Sequence, residues 1–341
     1  MIPVVILAGF LGSGKTTALN HLLAHADGRR LGVLVNDFGA VNIDALLVSG
    51  TAAGTVSLPG GCICCVTDAD SLGESMRALA DSGVDAIVVE ASGIAEPRAL
   101  IRLVVAARDE RLGYGGLVYL VDAGGAEQVL ADHPSVAGHI GVADLVALNK
   151  IDLIDEPAAR RLRERLAGLN PTAPVLPVVR AAIDPALLLD PAGAVVDDSG
   201  PRQLSFSDLI AEECDGHDDH SGHLHAAFAS VALETERPVD PRRLAALLER
   251  PPAGAYRCKG LVRVDLPGHR GHAYEVHAVG GFVQVSVRRW DAGGPRTSLV
   301  VIGAGLDETA ARAALEEVCT PAPADDENGI AHLTRHLVTP S

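Results

Sequence analysis

The sequence predicts an α/β fold in which a doubly wound, mainly parallel sheet domain precedes a small α+β domain with a mainly antiparallel sheet. A chain of 341 residues is long enough for two such units. In its first half, short apolar runs alternate with helix-like segments, and continuous apolar runs indicate strands buried on both faces, as in a parallel sheet. These runs are Val4–Leu7, Gly32–Val35, Ala86–Glu90, Leu117–Asp122, Leu145–Asn149 and Val175–Val179.

Helices are predicted between these strands wherever apolar residues recur at intervals of three or four. In the first of them, Leu19, Leu22 and Leu23 fall on one stripe. Since this alternation of strand and helix ends near residue 185, residues 1–185 are predicted to form one domain. Its predicted helices are Thr16–Ala26, Leu72–Ala80, Pro97–Ala107 and Pro157–Leu169.

Residues 186–225 are predicted to be a linker with a histidine-rich loop, because Asp-Pro pairs and acidic residues replace the alternation. Short helices are expected at Ala186–Leu189 and Ser207–Ala211. Residues 226–320 return to strand patterns with intervening helices, and the polar, proline-containing residues 321–341 are expected to form a flexible tail. The second domain is predicted to contain strands Ala226–Leu233, Gly260–Val264, Tyr274–Ala278, Phe282–Val287 and Ser298–Ile302, and helices Pro241–Glu249 and Glu308–Val318.

The chain is acidic, with 28 Lys and Arg residues against 44 Asp and Glu residues and a formal net charge of -16. Such a surface repels nucleic-acid phosphates and anionic lipids, which argues against nucleic-acid and membrane partners. No apolar run approaches the roughly 20 residues of a membrane span, and Met1 leads directly into an apolar strand instead of a secretion signal. We therefore expect a cytoplasmic protein, in which clustered cysteines indicate metal binding before disulfides.

Residues Gly9–Thr16 follow the pattern G-x-x-x-x-G-K-T of a phosphate-binding loop between a strand and a helix. In such a loop the backbone N–H groups bind phosphate oxygens, Lys15 reaches the β and γ phosphates, and the Thr16 hydroxyl is a ligand for Mg²⁺. The alternative, an ordinary glycine-rich turn, accounts less well for the pattern in this context. The predicted nucleotide contacts are Gly9, Gly12, Ser13, Gly14, Lys15, Thr16 and Thr17.

The segment Asn149–Asp152 has the pattern N-K-x-D at the end of a later apolar run. This pattern predicts which base of the nucleotide is recognised. A carboxylate at Asp152 accepts hydrogen bonds from the N1–H and N2–H₂ edge of guanine, which adenine lacks, while the stem of Lys150 covers the ring. Alone, this pattern also describes a polar turn; beside a phosphate loop it predicts GTP rather than ATP. Lys15 and Lys150 are two of only three lysines in the chain, and the third is Lys259.

Two acidic residues join Lys15 and Thr16 as catalytic candidates. Glu90 ends an apolar strand and is placed to hold Mg²⁺ or orient the attacking water, while Gly93 allows a backbone N–H to approach the γ phosphate. Asp37, at the end of the second strand, is a candidate first-switch residue near the metal. The alternatives are a helix cap at the end of the Glu90 strand and a plain turn around Asp37.

Three thiols within four residues, Cys62, Cys64 and Cys65, predict an open transition-metal site. Thiolates suit Zn²⁺ and other borderline ions, and three protein ligands leave a fourth position for an acid, water or an acceptor protein. The alternative is a set of small, buried apolar cysteines. The linker contains a second candidate, for which the alternative is a solvated polar loop; its candidate ligands are His217, His220, His223 and His225.

Together these motifs resemble those of the CobW-type P-loop GTPases, relatives of the UreG and HypB nickel-insertion GTPases. The resemblance covers nearly the whole chain, and the C-x-C-C cluster beside a phosphate loop is specific to this group. It is carried by Gly9–Thr16, Asn36–Gly39 with Asp44, Gly61–Cys65, Glu90–Pro97, Asn149–Asp152, Arg257–Gly260 and Leu299–Gly303.

The resemblance implies a GTP-hydrolysing, Mg²⁺-dependent metallochaperone with a P-loop GTPase domain and a CobW-type C-terminal domain. In such proteins the C-x-C-C thiolates hold zinc or cobalt, and the GTPase cycle is coupled to metal transfer onto a client protein; a homodimer is a further expected assembly. Asp37 stands where the family more often has Glu, and Ala91 where it often has Thr or Cys. The alternatives are a cobalt chaperone for cobalamin synthesis, a zinc storage or sensor protein with a structural nucleotide, and a P-loop kinase.

Overall fold

Two β-sheets, one parallel and one antiparallel, organise the chain, and this confirms the predicted fold class. The predicted helix Ser207–Ala211 lies outside the residues that the structure describes. The computed structural model describes residues 1–26, 28–35, 56–57, 69–93, 95–107, 109–189, 228–290, 294–320 and 328–337.

The first sheet is seven-stranded and its strand pairs are all parallel. It consists of β1 (Ile2–Gly9), β2 (Leu31–Val35), β3 (Val56–Ser57), β4 (Ala86–Glu90), β5 (Leu112–Asp122), β6 (Leu145–Asn149) and β7 (Val175–Val178). The spatial order is β3-β2-β4-β1-β5-β6-β7, so β1 lies at the centre. Because the strands are parallel, their carboxyl ends meet at one edge of the sheet, where ligands bind in folds of this type.

Helices cover both faces of this sheet. They are α1 (Lys15–Ala24), α2 (Ala69–Asp81), α3 (Pro97–Ala106), α4 (Ala126–Asp132), α5 (Ser135–Ile140), α6 (Glu156–Leu169) and α7 (Pro185–Leu188). Leu19 and Leu22 of α1 join the apolar cluster on one face, while Met76 and Leu79 of α2 join the cluster on the other. The sequence pattern does not predict α4 and α5, which are too short for a helical period to emerge. Among the described helices, none combines the length and apolar character needed to cross a membrane.

The second sheet is five-stranded and antiparallel. Its strands are β8 (Phe228–Thr235), β9 (Ala255–Arg263), β10 (His272–Val279), β11 (Phe282–Arg289) and β12 (Thr297–Ala304), in the order β11-β10-β9-β12-β8. One face packs on α8 (Pro241–Glu249) and α9 (Glu308–Val318) and forms a separate apolar core. Both helices begin at an Asp-capped N-terminus, Asp240 for α8 and Asp307 for α9, which is the cap that a local sequence pattern specifies.

The expectation of a flexible tail over residues 321–341 is wrong for residues 328–337. A short helix, α10 (Gly329–Thr334), buries Leu333 completely in the C-terminal core. The backbone N–H of Val285 donates to the carbonyl oxygen of His336 at 2.9 Å, and His336 Nε2 lies 2.8 Å from Glu249 Oε1. The apolar residues of this segment are too few to show a period, so only packing on a preformed core identifies them as structural.

The two sheets are joined through a bulge in β5. The register of β1 against β5 slips at Gly115, and Gly116 adopts a φ of +108°, where a Cβ would overlap the Tyr256 hydroxyl. Tyr256 comes from β9 and donates its O–H to the Gly115 carbonyl oxygen at 3.1 Å. Beside it, the rings of Tyr114 and Phe282 meet edge to face at a centroid distance of 5.2 Å. The glycine pair therefore makes room for a side chain of the second domain.

A partly buried carboxylate, that of Asp144, lies next to this contact. Its Oδ2 accepts hydrogen bonds from the Tyr114 O–H at 2.5 Å and the Leu117 N–H at 2.8 Å. Burial raises the pKa of the Asp144 carboxyl to about 6, although both hydrogen bonds favour the charged form. Above that pH, the Asp144 carboxylate is charged although water has little access to it.

Replacing Asp144 with Asn should change how stability depends on pH. In the folded chain Asp144 keeps its proton up to a pH of about 6, whereas the unfolded chain loses it near the ordinary pKa of 3.8. The folded state thus binds more protons in between, and the contribution of Asp144 to stability falls as the pH rises across this window. Relative to the parent, Asp144→Asn should gain unfolding free energy from pH 4 to pH 7, measured by urea denaturation. A constant difference across that range would contradict the prediction.

Candidate functional site

The phosphate loop follows β1 and turns sharply enough to need glycine at three positions. Gly9, Gly12 and Gly14 have φ angles of +149°, +75° and +103°. Gly14 has a second constraint, since a Cβ there would clash with the side-chain nitrogen of Asn149. The N–H of Ser13 closes the turn by donating to the carbonyl oxygen at position 10, at 3.2 Å. The backbone therefore curls as the glycine pattern predicts.

The N-terminus of α1 is suited to an anion. Its N-cap, Gly14, makes no side-chain capping hydrogen bond, and the first turn contains no acidic residue. The first N–H groups of a helix have no partner within it, and the helix dipole places partial positive charge there. Lys15 Nζ donates to the carbonyl oxygens of Gly9 at 3.0 Å and Phe10 at 3.3 Å, so its ammonium lies over the loop. Phosphate oxygens at this point would meet both N–H groups and the ammonium.

Thr16 and Glu90 meet beside the loop although they are far apart in sequence. Thr16 Oγ1 donates to Glu90 Oε1 at 2.8 Å, and Glu90, at the carboxyl end of β4, is only 4% exposed. This contact exists because β4 pairs with β1, with Glu90 opposite Leu7. A hydroxyl and a carboxylate are the hard oxygen donors that Mg²⁺ takes, together with phosphate oxygens. The residues present therefore fit a nucleotide-bound Mg²⁺ ion.

The side chain of Asn149 connects three segments of the site. It is 2% exposed at the carboxyl end of β6. Its Nδ2 donates to the Ser13 carbonyl oxygen at 2.9 Å, and its Oδ1 accepts from the Ala181 N–H at 2.7 Å. Both amide atoms are thus used to hold the phosphate loop against the loop after β7. Asn149, which we predict to contact the nucleotide, acts in this structure as a bracket between loops.

Lys150 and Asp152 extend from the same strand end in different ways. Lys150 has a φ of +59°, and its Nζ donates to the Gly12 carbonyl oxygen at 2.9 Å and pairs with Asp122 Oδ2 at 2.6 Å. Its stem therefore crosses from β6 to the phosphate loop. Asp152 lies in the 3-10 turn Ile151–Leu153 and is exposed to solvent. Its carboxylate is therefore accessible to a ligand.

Gly93 lies against the phosphate loop. A Cβ at this position would come within 3.1 Å of the Leu11 backbone nitrogen, so a larger residue would separate the two segments. The helix cap that we considered as the alternative role for this strand end falls elsewhere, at Glu96, whose side chain accepts from the Arg98 N–H at 3.4 Å. The segment from Glu90 to Gly93 therefore lies against the phosphate loop and does not cap α3.

The predicted transition-metal ligands and one predicted catalytic residue, Asp37, lie outside the described residues. Among the residues that the structure does describe, no group of three or more His, Cys, Asp or Glu side chains is arranged to hold a metal ion. The described cysteines, Cys258 and Cys319, are buried in the C-terminal core, and burial raises the pKa of Cys258 to about 12. The predicted residues that remain undescribed are Asp37, Cys62, Cys64, Cys65, His217, His220, His223 and His225.

Two contributors to the site are not identified by the sequence analysis. Asp122 ends β5 and pairs with Lys150; an acid at the carboxyl end of a strand beside β1 is a signal that could have found it. Arg180 and Ala181 follow β7 with φ angles of +51° and +54°, an uncommon conformation for residues other than glycine. No local pattern indicates this loop, because its role depends on Asn149, which is 32 residues away in sequence.

Replacing Asn149 with Ala should weaken both the fold and nucleotide binding. The change leaves the Ser13 carbonyl and the Ala181 N–H without their buried partner, at a cost of about 1–3 kcal/mol for each group. Asn170→Ala is the matched control: Asn170 is 3% exposed and bonds the Ile140 and Ala143 carbonyl oxygens, away from the phosphate loop. Urea denaturation should show both variants destabilised. Titration with a fluorescent GDP analogue should show weaker binding only for Asn149→Ala. An equal loss of affinity in both variants would contradict the role of Asn149 in holding the two loops together.

Comparison with known proteins places the chain in one family of nucleotide-binding proteins. A family model described as "CobW/HypB/UreG, nucleotide-binding domain" matches residues 3–177, and one described as "Cobalamin synthesis protein cobW C-terminal domain" matches residues 228–319. The zinc chaperone YjiA of Escherichia coli is 30% identical over 325 residues, which are 92% of this chain and 97% of that protein. The zinc chaperone CobW of Sinorhizobium sp is also 30% identical, with 92% of this chain and 96% of that protein covered.

Among solved structures, the Zn(II)-bound YjiA GTPase from E. coli matches with 26% identity and a TM-score of 0.43, covering 94% of this chain and 99% of that one. The two family models together span most of both domains, and they do so in the order that the sequence motifs predict. The chain therefore belongs to the CobW/HypB/UreG family of nucleotide-binding proteins, in the branch that has a CobW C-terminal domain.

Proposed function

We propose that this protein is a GTP-hydrolysing metallochaperone that carries a transition metal, most simply zinc, and delivers it to a client protein. The proposal rests on one observation, that the N-K-x-D segment is hydrogen-bonded to the phosphate loop. The buried Asn149 amide and the Lys150 ammonium both donate to carbonyl oxygens of that loop. Asp152 is left exposed beside that loop, where a guanine edge can meet it. Two relatives that match over nearly their whole length are named zinc chaperones.

In this proposal the described residues divide the work of hydrolysis. The N–H groups at the start of α1 and the Lys15 ammonium hold the phosphates and offset the negative charge that develops on the transferred group. Thr16 and Glu90 would hold Mg²⁺, which when bound would neutralise charge on the phosphate oxygens. Gly93 keeps the backbone close to the loop, so its N–H is available to the γ phosphate. No described arginine is assigned to the transition state, so slow intrinsic turnover is expected.

The position of the cysteines along the chain supports a link between metal and nucleotide. Strand β3 ends at Ser57, at the same edge of the sheet as the phosphate loop, because β3 runs parallel to β2. Cys62 follows five residues later, and five residues span at most roughly 18 Å even when fully extended. We expect the thiolates of Cys62, Cys64 and Cys65 to bind the cargo metal near this edge, where a change of nucleotide alters the surroundings.

Coupling between the two ligands has a thermodynamic consequence. If GTP changes the affinity of the protein for the metal, the metal changes the affinity for GTP by the same factor. A metallochaperone of this kind captures its cargo in one nucleotide state and releases it in the other. A zinc storage protein with a structural nucleotide would bind zinc equally in both states.

Zinc should change the rate of GTP hydrolysis, and this response should require the cysteine cluster. Purified protein freed of metal is assayed for hydrolysis of GTP and ATP with and without one equivalent of Zn²⁺ or Co²⁺. We expect a GTP-selective rate that responds to one of the metals, and loss of that response in Cys64→Ala. The cobalt arm is included because the C-terminal family model is named for cobalamin synthesis.

The matched control is Cys258→Ala, since that thiol is buried in the C-terminal core with a raised pKa and should not bind metal. This variant should keep the metal response. A rate that no metal changes would leave a GTPase whose cysteines store metal or stabilise structure. Loss of the metal response in both variants would mean that it depends on the integrity of the fold and not on the cysteine cluster.

Replacing Asp152 with Asn should change which base is bound. Asparagine loses the charge-assisted bonds to the guanine N1–H and N2–H₂ groups, which should weaken GTP binding roughly 10- to 100-fold. The Asn amide instead donates to the second carbonyl of xanthine, so affinity for xanthosine triphosphate should rise. Glu156→Gln removes an exposed charge nearby and should alter neither affinity. Competition titration measures both nucleotides; an unchanged preference in Asp152→Asn would exclude Asp152 as the guanine selector.

A further inference from the structure

A groove of about 600 Å³ crosses the face of the C-terminal sheet that is turned away from that domain's own core. Its lining comes from several strands of the second sheet, and its rim includes Arg288, Arg296 and Met1. The volume lies within the range of about 300–1,000 Å³ that is typical of ligand sites. The groove is formed by residues for which neither the nucleotide site nor the cysteine cluster provides a role.

The register of the sheet places functional side chains in rows on the floor of the groove. Lys259 of β9 lies opposite His277 of β10 and Val300 of β12. In the next row, Leu261 lies opposite Glu275 and Ser298. Side chains alternate between the faces of a strand, and the intervening residues belong to the core on the other side. These core residues include Cys258, Val276 and Val301. Apolar and charged groups therefore alternate along the floor.

The groove contains more permanent positive charges than negative ones. Lys259, Arg288 and Arg296 line it together with two carboxylates, Glu234 and Glu275. This local balance contrasts with a chain whose formal net charge is -16. An acidic surface repels anions in general, so a groove with one excess positive charge accepts an anionic group more readily than the acidic surface as a whole. The two carboxylates also disfavour ligands with a dense, continuous negative charge.

Lys259 stands out in the sequence as well. It is one of only three lysines among 28 Lys and Arg residues, and the other two serve the nucleotide motifs. A lysine ammonium is a compact charge, whereas an arginine guanidinium is broad and planar. The next residue, Gly260, keeps β9 close to β12, because a Cβ there would overlap the Ser298 carbonyl oxygen. The backbones of β9 and β12 therefore lie close together beside Lys259.

The groove is remote from the phosphate loop. Met1 lies at its rim, immediately before β1, while the phosphate loop begins at the other end of that strand. A strand of eight residues at about 3.3 Å per residue spans roughly 25 Å. A ligand in the groove therefore does not touch the nucleotide, and variants in the groove should leave nucleotide affinity intact.

We propose that this groove binds an extended acidic segment of a partner protein. In an extended peptide every second side chain points to the same face, at intervals of roughly 6.6 Å, so spaced carboxylates can reach Lys259 and the rim arginines while avoiding Glu275. The side chains between the acids point away from the floor of the groove, so they need not match it. The proposal concerns a protein partner and does not depend on which metal the protein carries.

The test uses the full chain and a fluorescein-labelled octapeptide of alternating glutamate and valine residues, with fluorescence anisotropy as the readout. We expect saturable binding that weakens as salt rises, because the attraction is electrostatic. Lys259→Gln and Arg296→Gln should each weaken binding by roughly fivefold or more. Arg296 is exposed, so its substitution tests the groove even if Lys259→Gln destabilises the sheet.

Arg163→Gln is the matched control, since Arg163 is an exposed arginine on α6, outside the groove. It should bind the peptide as the parent does. Binding of a fluorescent GDP analogue, measured in every variant, should stay unchanged and shows that the nucleotide-binding domain of each variant is folded. This second readout separates failure of the groove from failure of the GTPase site.

Three results would overturn the proposal. Unchanged peptide affinity in both Lys259→Gln and Arg296→Gln would mean that the peptide binds elsewhere. Equal binding of a lysine-valine octapeptide would show that charge does not select the ligand. Displacement of the peptide by free glutamate or by a single-stranded oligonucleotide at the same molar concentration would assign the groove to a small metabolite or to nucleic acid instead.

Discussion

The two hydrogen bonds of one buried amide hold the nucleotide site together. Asn149 ties the phosphate loop to the loop after β7, and Lys150, from the same strand end, adds a bond across the phosphate loop. These bonds form only because the central strands are parallel and end at one edge, with β5 between β1 and β6. The position of Asp152 follows from this arrangement, since it leaves the strand that the bracket holds. The phosphate loop and the carboxyl end of β6 are thereby joined.

In the proposed function, this edge is also where a metal and a nucleotide would influence each other. Strands β2, β3 and β4 are neighbours, and the chain segments that leave their carboxyl ends carry the candidate switch, the cysteine cluster and Glu90 in turn. Thr16 already bonds Glu90 across the gap between β1 and β4. In the proposed function, a ligand at the end of one of these strands would act on the others across neighbouring strands. Linkage between GTP and cargo then needs no long pathway through the protein.

The second domain uses the opposite end of the parallel sheet. The bulge at Gly115 accepts Tyr256, and the buried Arg257 donates to the Leu188 carbonyl oxygen at 3.0 Å, so consecutive residues of β9 reach two parts of the first domain. Among the described residues, this contact covers one end of the antiparallel sheet, and a groove remains on its outer face. The groove around Lys259 is the result. The fold thus separates a nucleotide edge from a surface available to a partner.

Local patterns predicted much of the fold. Helices Pro241–Glu249 and Glu308–Val318 have the predicted bounds, because a capping Asp and a helical stripe are both contained in a dozen residues. The phosphate loop is equally local, since glycine spacing alone specifies its curl. The helix Gly329–Thr334 and the bracket made by Asn149 could not be predicted in this way, because each depends on partners far away in the chain.

The sequence by itself determined the fold class, the phosphate loop, the guanine motif and the family. It also placed three thiols and a histidine tract in segments that the structure does not describe. Only the tertiary structure decided that Asn149 is a bracket and that Lys150 pairs with Asp122. The same is true of the open face on which Lys259 lies. The physical reason is that a motif records bonds within a few residues, whereas strand order and register determine which distant polar groups satisfy one another.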